Sequence, residues 1–172
     1  MALFRNLSEK EIEVRIGTCN DKGVSLLLYK DARCDMRILD ETFGAMGWRN
    51  RYETINGELF CTIEVWDSEK GQWIGKQYNG SPSNMEAEKG RASDAMKRAG
   101  TMLGIGRELY TAPFIWIPAD KCNIKQGRNG KPQCYDRFSV EKVRTENGEI
   151  TGLSIFNCST GHRVFTWVKE ER

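Results

Sequence analysis

The sequence predicts an α+β protein in which an antiparallel β-meander packs on one long helix and a second small meander follows. Three segments alternate apolar and polar residues, the period of half-buried strands, and lie close together in the chain: 48–55, 58–66 and 72–78. A helical pattern then runs over 83–104, and alternation returns after residue 135. Short turns favour antiparallel neighbours, so we expect the helix to cross one face of the first meander.

The composition limits what the chain can do. It has 172 residues, with 26 basic and 24 acidic side chains, so any binding of a polyanion must depend on where the charges lie. No apolar run is long enough to span a membrane, and the N-terminus is too charged for a signal peptide, so we expect a cytoplasmic protein. The predicted organisation is a core over 1–118, a flexible basic loop over 119–134 and a strand extension of the same domain over 135–172.

The chain begins with a predicted short helix and a strand. Ser8 and Glu11 have the spacing of a capping box, so we expect a helix over 8–16. Gly23 then precedes an apolar run at 24–30 that is short enough for a strand.

A second helix is predicted over 32–43. Asp31 is a candidate N-cap, because its carboxylate can accept a hydrogen bond from an amide of the first turn. The residues expected to face the core are Ile38, Leu39 and Phe43. Arg33 and Arg37 lie four residues apart on one face, either as ordinary surface arginines or as ligands for an anion.

The first strand of the meander carries arginines on one face and a tyrosine on the other. Asn56 and Gly57 form a strong hairpin signal between its first two strands. Because side chains alternate along a strand, Arg49 and Arg51 share one face and Tyr52 lies on the other.

The central helix has clear predicted ends. Ser83 and Glu86 again have capping-box spacing, and Gly104 can adopt the positive φ that closes a helix. Its narrow apolar stripe consists mostly of small side chains, which let a helix lie close to a sheet. The stripe is formed by Ala92, Ala95, Met96, Ala99, Met102 and Leu103.

The charges of this helix allow two interpretations. Arg91, Asp94 and Arg98 share one flank, while Lys89 and Lys97 lie towards the other. They could form a solvated face with local ion pairs, since Asp94 can reach Arg98. Alternatively, Lys97 and Arg98 straddle the apolar stripe and border a phosphate-binding groove.

The C-terminal third predicts a basic loop and three more strands. The loop could be a solvated linker or an arm that touches nucleic acid or a neighbouring subunit, and its cations are Lys121, Lys125, Arg128 and Lys131. The strands are predicted at 137–145, 150–157 and 163–168, and this meander could extend the first sheet or cap its edge.

No catalytic constellation is evident, and we expect a non-enzyme. An acidic face on the second helix leaves a metal-dependent nuclease as an alternative, carried by Asp35, Asp40 and Glu41. A zinc site also stays open, although its spacing is not that of a common module: Cys122, Cys134, Cys158 and His162. A non-catalytic oligomeric scaffold is a third possibility. The positive charges interleaved with aromatics instead favour single-stranded nucleic acid, because such binders combine a basic groove with rings or space for bases.

Two motifs give the chain a family resemblance. FGAMGW (43–48), followed by a meander and by EKGRASDAMKRAGTMLGIG (88–106), resembles the Rad52/Rad22 superfamily of single-strand annealing proteins. The likeness covers roughly residues 3 to 110, and the compact length resembles that of phage or prophage members.

The resemblance implies a β-β-β-α core that assembles into rings or open helical oligomers, with single-stranded DNA held along a basic groove for recombination and repair. It implies annealing without ATP, a metal or another cofactor, and a host single-strand binding protein as a further partner. Lys97 and Arg98 match the family's paired basic residues, and Arg33 or Arg37 would supply another. Thr101 stands where another basic residue is expected. The full set of candidate DNA-binding residues is Lys97, Arg98, Arg91, Lys89, Arg33, Arg37, Arg49, Arg51, Tyr52 and Lys76.

Overall fold

The computed structural model describes residues 4–81, 87–127 and 130–170, with residues 87–89 described by their backbone alone. The predicted capping residues Ser83 and Glu86 and the loop residue Arg128 lie outside the described residues, as does the side chain of Lys89.

The described residues form an α+β protein with antiparallel sheets and two α-helices. In chain order the elements are a 3-10 turn (Glu9–Glu11), β1 (Glu13–Asn20), β2 (Gly23–Tyr29), α1 (Ala32–Phe43), β3 (Trp48–Ile55), β4 (Glu58–Asp67), β5 (Gln72–Asn79), α2 (Ala87–Leu103), a 3-10 turn (Arg107–Thr111), β6 (Ile115–Pro118), a 3-10 turn (Ala119–Lys121), β7 (Ile124–Gln126), β8 (Pro132–Cys134), β9 (Phe138–Glu146), β10 (Glu149–Asn157) and β11 (His162–Val168).

The chain divides into two compact units. The first contains Lys30–Gly106 with the N-terminal residues up to Arg5, and the second contains Asn6–Tyr29 and Arg107–Arg172. The domain boundaries predicted above stay a prediction.

The first unit contains the predicted meander, with strand order β3-β4-β5. α2 packs on β4 and β5, and the fully buried Ala95 and Ala99 let it lie close to Cys61 and Ile63 of β4. α1 also packs against α2, so the helical layer holds two helices, and a core with one long helix is not confirmed.

Local capping and turn chemistry sets the limits of these elements. Asp31 caps α1 as predicted, since its Oδ1 accepts from the Cys34 amide at 2.7 Å. α2 ends at Leu103, and Gly104 follows with φ of +124°, its amide donating to the Gly100 carbonyl at 3.1 Å. Asn56 and Gly57 both have positive φ, the geometry of a tight two-residue hairpin.

The second unit contains a six-stranded sheet with the order β11-β10-β9-β1-β2-β6. The C-terminal meander forms as predicted, but the idea that it extends or caps the first sheet is wrong. It joins β1 instead, where Glu13 pairs with Ser139 of β9. Leu153 and Ile155 of β10 are buried and belong to the hydrophobic core.

The helix predicted over 8–16 is wrong. Glu11 does accept from the Ser8 amide at 2.9 Å and the Ser8 hydroxyl at 2.8 Å, yet only the 3-10 turn Glu9–Glu11 forms. Residues Glu13–Asn20 are a strand that pairs with Gly23–Tyr29. A ladder of backbone hydrogen bonds between neighbouring strands outweighs a single local cap.

Regular structure runs through much of the segment predicted as a flexible loop. β7 and β8 pair there, with Ile124 opposite Cys134.

No helix among the described residues is long and apolar enough to cross a membrane.

Candidate nucleic-acid interface

All the candidate DNA-binding residues fall within the first unit. They are distributed over four elements: Arg33 and Arg37 on α1, Arg49, Arg51 and Tyr52 on β3, Lys76 on β5, and Lys89, Arg91, Lys97 and Arg98 on α2.

The strand register separates these residues into two faces of the sheet. Tyr52 pairs with Cys61 and Lys76 pairs with Ile63, and both of these β4 residues are fully buried on the side covered by α2. Neighbouring residues of β3 face the other way, because side chains alternate along a strand. Arg49 and Arg51 therefore lie on the face opposite α2, and they do not join a groove that runs along this helix.

Arg49 is engaged on that opposite face. Its Nε donates to Glu64 at 2.8 Å, and its guanidinium lies 4.3 Å from the ring centroid of Trp73. Trp73 in turn meets Trp66 edge to face, with ring centroids 5.5 Å apart. The carboxylate neutralises much of the charge that a phosphate would otherwise meet. Arg51 is exposed on the same face, opposite Thr62.

Lys76 and Tyr52 both interact with neighbouring residues of the first unit. The Lys76 ammonium donates to the carbonyl of Met102 at 2.9 Å, near the C-terminal end of α2, where a cation is favourable. Burial, together with the neighbouring Cys61, raises the pKa of the Tyr52 phenol to about 12.

Arg98 ties α2 to the end of the meander. Its Nε donates to Asp94 at 2.8 Å, one turn earlier on the helix, and Nη2 donates to the Ser81 hydroxyl at 3.2 Å. Asp94 also accepts from the Ser81 amide at 3.0 Å. The guanidinium lies 5.7 Å from the Tyr78 ring centroid. Asp94 thus partly neutralises the positive charge of Arg98 within the protein.

Lys97 differs from its neighbour. Its side chain is half-buried, and no hydrogen bond or ion pair of its ammonium occurs within the part of the chain that the structure describes. Its backbone carbonyl accepts from Thr101 Oγ1 at 2.9 Å and from Lys30 Nζ at 3.2 Å. The Lys97 backbone is therefore held by two hydrogen bonds, while its ammonium has neither a hydrogen bond nor an ion pair in that part of the chain.

A buried ion pair lies beside this turn of α2. Lys30, 5% exposed, donates to Oδ1 of Asp35, which is fully buried. Burial lowers the pKa of Lys30 and raises that of Asp35 to about 6, while the attraction between the two groups opposes both shifts. A Cβ on Gly100 would lie 2.9 Å from Asp35 Oδ1, so the absence of a side chain at Gly100 lets α2 approach α1.

The remaining candidate cations lie at other positions on the two helices. Arg33 is exposed and lies 3.3 Å from Asp31, and Arg37 is exposed on the same helix. Arg91 is half-buried, and its Nε is enclosed with no hydrogen-bond partner in the described residues.

The acidic residues of α1 do not come together. Asp35 pairs with Lys30, Asp40 accepts from the Trp48 indole at 2.7 Å, and Glu41 binds Arg5 at 2.7 Å. Among the described residues, no group of three or more His, Cys, Asp or Glu side chains could hold a metal ion. The four residues considered above for a zinc site therefore form no such group.

Neither Lys30 nor its pairing with Asp35 was evident from the sequence. The available signal was a lysine directly after an apolar strand, followed five residues later by an aspartate in the first turn of a helix. Long side chains in such a position reach their partner only once the helix has packed, which periodicity does not reveal.

Comparisons with known proteins cover this same region. A model of the Rad52/22 family of double-strand break repair proteins matches residues 1–126. The single-stranded DNA-binding protein DdrA of Deinococcus radiodurans is 32% identical over 126 residues, which is 72% of this chain and 58% of DdrA. The chain thus matches just over half the length of this curated relative. No solved structure gives a significant match. Because the family model spans residues 1–126, well over half of the chain and every candidate residue, this protein belongs to the Rad52/22 family of double-strand break repair proteins.

Proposed function

We propose that this protein binds single-stranded DNA and anneals complementary strands in recombination and repair, without ATP. The observation that carries the proposal is the position of Lys97, whose backbone carbonyl accepts two hydrogen bonds and whose ammonium has no hydrogen-bond or ion-pair partner among the described residues. Family membership and the similarity to DdrA, a single-stranded DNA-binding protein, support it.

The physical basis is contact with the DNA backbone. Lysine and arginine bind phosphates without reading base edges, so the pairing edges stay accessible to a complementary strand. Arg98 lies on the same helix, but its guanidinium is ion-paired with Asp94. We therefore assign Lys97 the larger share of the phosphate contact and Arg98 the smaller.

We further propose that copies of the chain assemble into a ring or an open helix. The net charge of one chain is only +2, and repetition of Lys97 around an assembly would add many weak phosphate contacts along one strand. A cytoplasmic site of action, a phage or prophage origin and a host single-strand binding protein as partner belong to the same proposal.

The test is annealing of two complementary labelled oligonucleotides without ATP or metal, comparing wild type with Lys97→Ala. Loss of one charge-assisted phosphate contact should weaken binding of single strands by about tenfold and slow annealing in proportion. The matched control is Lys70→Ala, an exposed lysine paired with Asp67 at 2.9 Å in the turn between β4 and β5. Lys97→Ala with Arg98→Ala should lose more, partly through the contacts of Arg98 to Ser81 and Tyr78.

Three outcomes contradict the proposal. Equal annealing by wild type and Lys97→Ala would remove Lys97 from the site. Shortening of the labelled strands when magnesium or manganese is added would favour a nuclease. A folded oligomer with no salt-sensitive affinity for single strands would favour a scaffold.

A further inference from the structure

The Lys30–Asp35 pair is unusually enclosed for an ion pair. Lys30 is 5% exposed and Asp35 is fully buried, and Asp35 Oδ2 has no hydrogen-bond partner within the described residues. Two buried charges lose their hydration, and an unpaired carboxylate oxygen adds to that cost. Buried pairs of this kind can often be replaced by apolar side chains without loss of stability. Stability alone therefore gives a weak reason for this pair.

The pair instead connects the first turn of α1 to the turn of α2 that carries Lys97. Lys30 Nζ donates both to Asp35 and, at 3.2 Å, to the Lys97 carbonyl. That carbonyl also accepts from Thr101 Oγ1 at 2.9 Å. Such a hydrogen bond to a helix carbonyl from another part of the chain restrains the rotation of the helix about its axis and its position along that axis.

Gly100 limits the same turn from the other direction. It lies three residues after Lys97, and a Cβ there would come within 2.9 Å of Asp35 Oδ1 and 3.0 Å of its Cγ. The carboxylate is thus in close contact with the backbone of α2 at Gly100 and is joined to the backbone at Lys97 through Lys30. Two successive points on one face of α2 are thus contacted by a single buried ion pair.

We propose that Lys30 and Asp35 are positioning residues for DNA binding, which hold the Lys97 turn of α2 at a fixed place so that its ammonium meets the phosphate backbone. This inference rests on the proposed function. Neither residue touches DNA in this arrangement, since both are enclosed. The electrostatics fit the same role, because the Asp35 carboxylate offsets the mutual repulsion of the Lys30 and Lys97 ammonium groups.

The test is a double-mutant cycle between the pair and Lys97. The variant Lys30→Met with Asp35→Leu replaces the ion pair by apolar side chains of similar size, and we expect it to fold. Its affinity for a single-stranded oligonucleotide, measured by fluorescence anisotropy at fixed salt, should fall about fivefold in the wild-type background. In the Lys97→Ala background the same change should have no further effect, because the group being positioned is gone.

A second ion pair that involves α1 separates positioning from general damage. Arg5→Met with Glu41→Leu removes the exposed ion pair between Arg5 and Glu41 of α1, and its effect should be small and independent of Lys97. Asp35→Asn keeps an acceptor for Lys30 at the same place but removes the carboxylate charge, so its loss of affinity should be smaller than that of the apolar double variant. If the apolar double variant does not fold, Lys30→Gln replaces it, since glutamine is one bond shorter and should lose the Lys97 carbonyl while keeping a polar group beside Asp35.

The results distinguish this inference from the proposed function. Wild-type affinity in the folded apolar variant, or an equal loss in both Lys97 backgrounds, would overturn the positioning role. Wild-type affinity in Lys97→Ala would instead overturn the assigned DNA site. A fivefold loss that disappears with Lys97→Ala supports both.

Discussion

Lys97 and Arg98 are adjacent in the chain but have different electrostatic surroundings. Arg98 is paired with Asp94 at 2.8 Å and lies over Tyr78, so its charge is shared with the protein and its loss would also remove contacts to Ser81. The Lys97 ammonium has no such partner among the described residues. A charge that is not neutralised internally contributes more to the field that attracts a phosphate. The two residues are thus not equivalent, although their sequence pattern treats them alike.

At the same scale, Asp35 should make stability depend on pH. Burial raises its pKa from 3.8 to about 6, which Lys30 and Lys97 only partly oppose, and Asp31 adds to the rise. Because the folded state favours the protonated carboxyl, this contribution is fully present below the unfolded pKa and is lost as pH rises through about 6, a change of about 3 kcal/mol. We expect the unfolding free energy of wild type, relative to Asp35→Asn, to fall between about pH 4 and pH 6.

Urea titrations of both proteins across that range measure this difference. Other carboxyl groups titrate equally in the two proteins and cancel. A difference that does not change with pH would show that the pKa of Asp35 is the same in the folded and unfolded states, which contradicts the rise caused by burial.

The helix α2 combines a packing face and a binding face. Ala95, Ala99 and Gly100 are buried with little side-chain bulk, which brings the helix close to β4 and α1. Close packing of this kind leaves little freedom for rotation, so the direction of Lys97 on the same helix is determined by contacts on the other side.

The hairpin between β3 and β4 gives a prediction about elements. Gly57 has φ of +82° and would meet no heavy atom within 4 Å if a Cβ were added, so Gly57→Ala costs backbone strain alone, about 1 kcal/mol. We expect faster hydrogen exchange at the amides that join β3 to β4, and unchanged exchange in β9 and β10.

Gly148→Ala is the matched control, because Asn147 and Gly148 form a similar turn with positive φ between β9 and β10. It should reverse the pattern, with faster exchange in β9 and β10 alone. If either variant accelerates exchange across both sheets equally, the local assignment of these turns is incorrect.

At the scale of the whole molecule, charge balance and assembly are linked. One chain carries 26 basic and 24 acidic residues, and several of its cations are already paired with carboxylates. Strong binding of a polyanion by such a chain requires many copies of a weak contact. This is the physical reason for proposing a ring or helical assembly.

The corresponding prediction concerns DNA length. Affinity for single-stranded oligonucleotides should rise steeply with length as more subunits engage, and it should fall with salt. Lys97→Ala should reduce the salt slope by about one for each phosphate contact that is lost, so its effect grows with length. Anisotropy titrations over a length and salt series, with the oligomeric state checked by light scattering, measure this. An affinity that does not change with length would contradict multivalent binding.

The sequence by itself determined the local structure. The Asp31 cap, the Asn-Gly hairpin and the alternation along β3, β4 and β5 depend on residues a few positions apart, and the structure confirms their elements. The FG-x-x-GW turn and the α2 pattern also identified the family, since they are motifs of neighbouring residues.

Only the tertiary structure decided which segments meet. Residues Glu13–Asn20 became a strand because β2 and β9 lie on either side of them, and the C-terminal meander joined β1 rather than the first sheet. The placement of Arg49 behind the sheet relative to α2, and the burial of Lys30 against Asp35 and the Lys97 carbonyl, likewise depend on packing. These outcomes come from contacts between residues far apart in the chain, whose free energy is gained only when whole faces are buried together, and no local pattern contains that information.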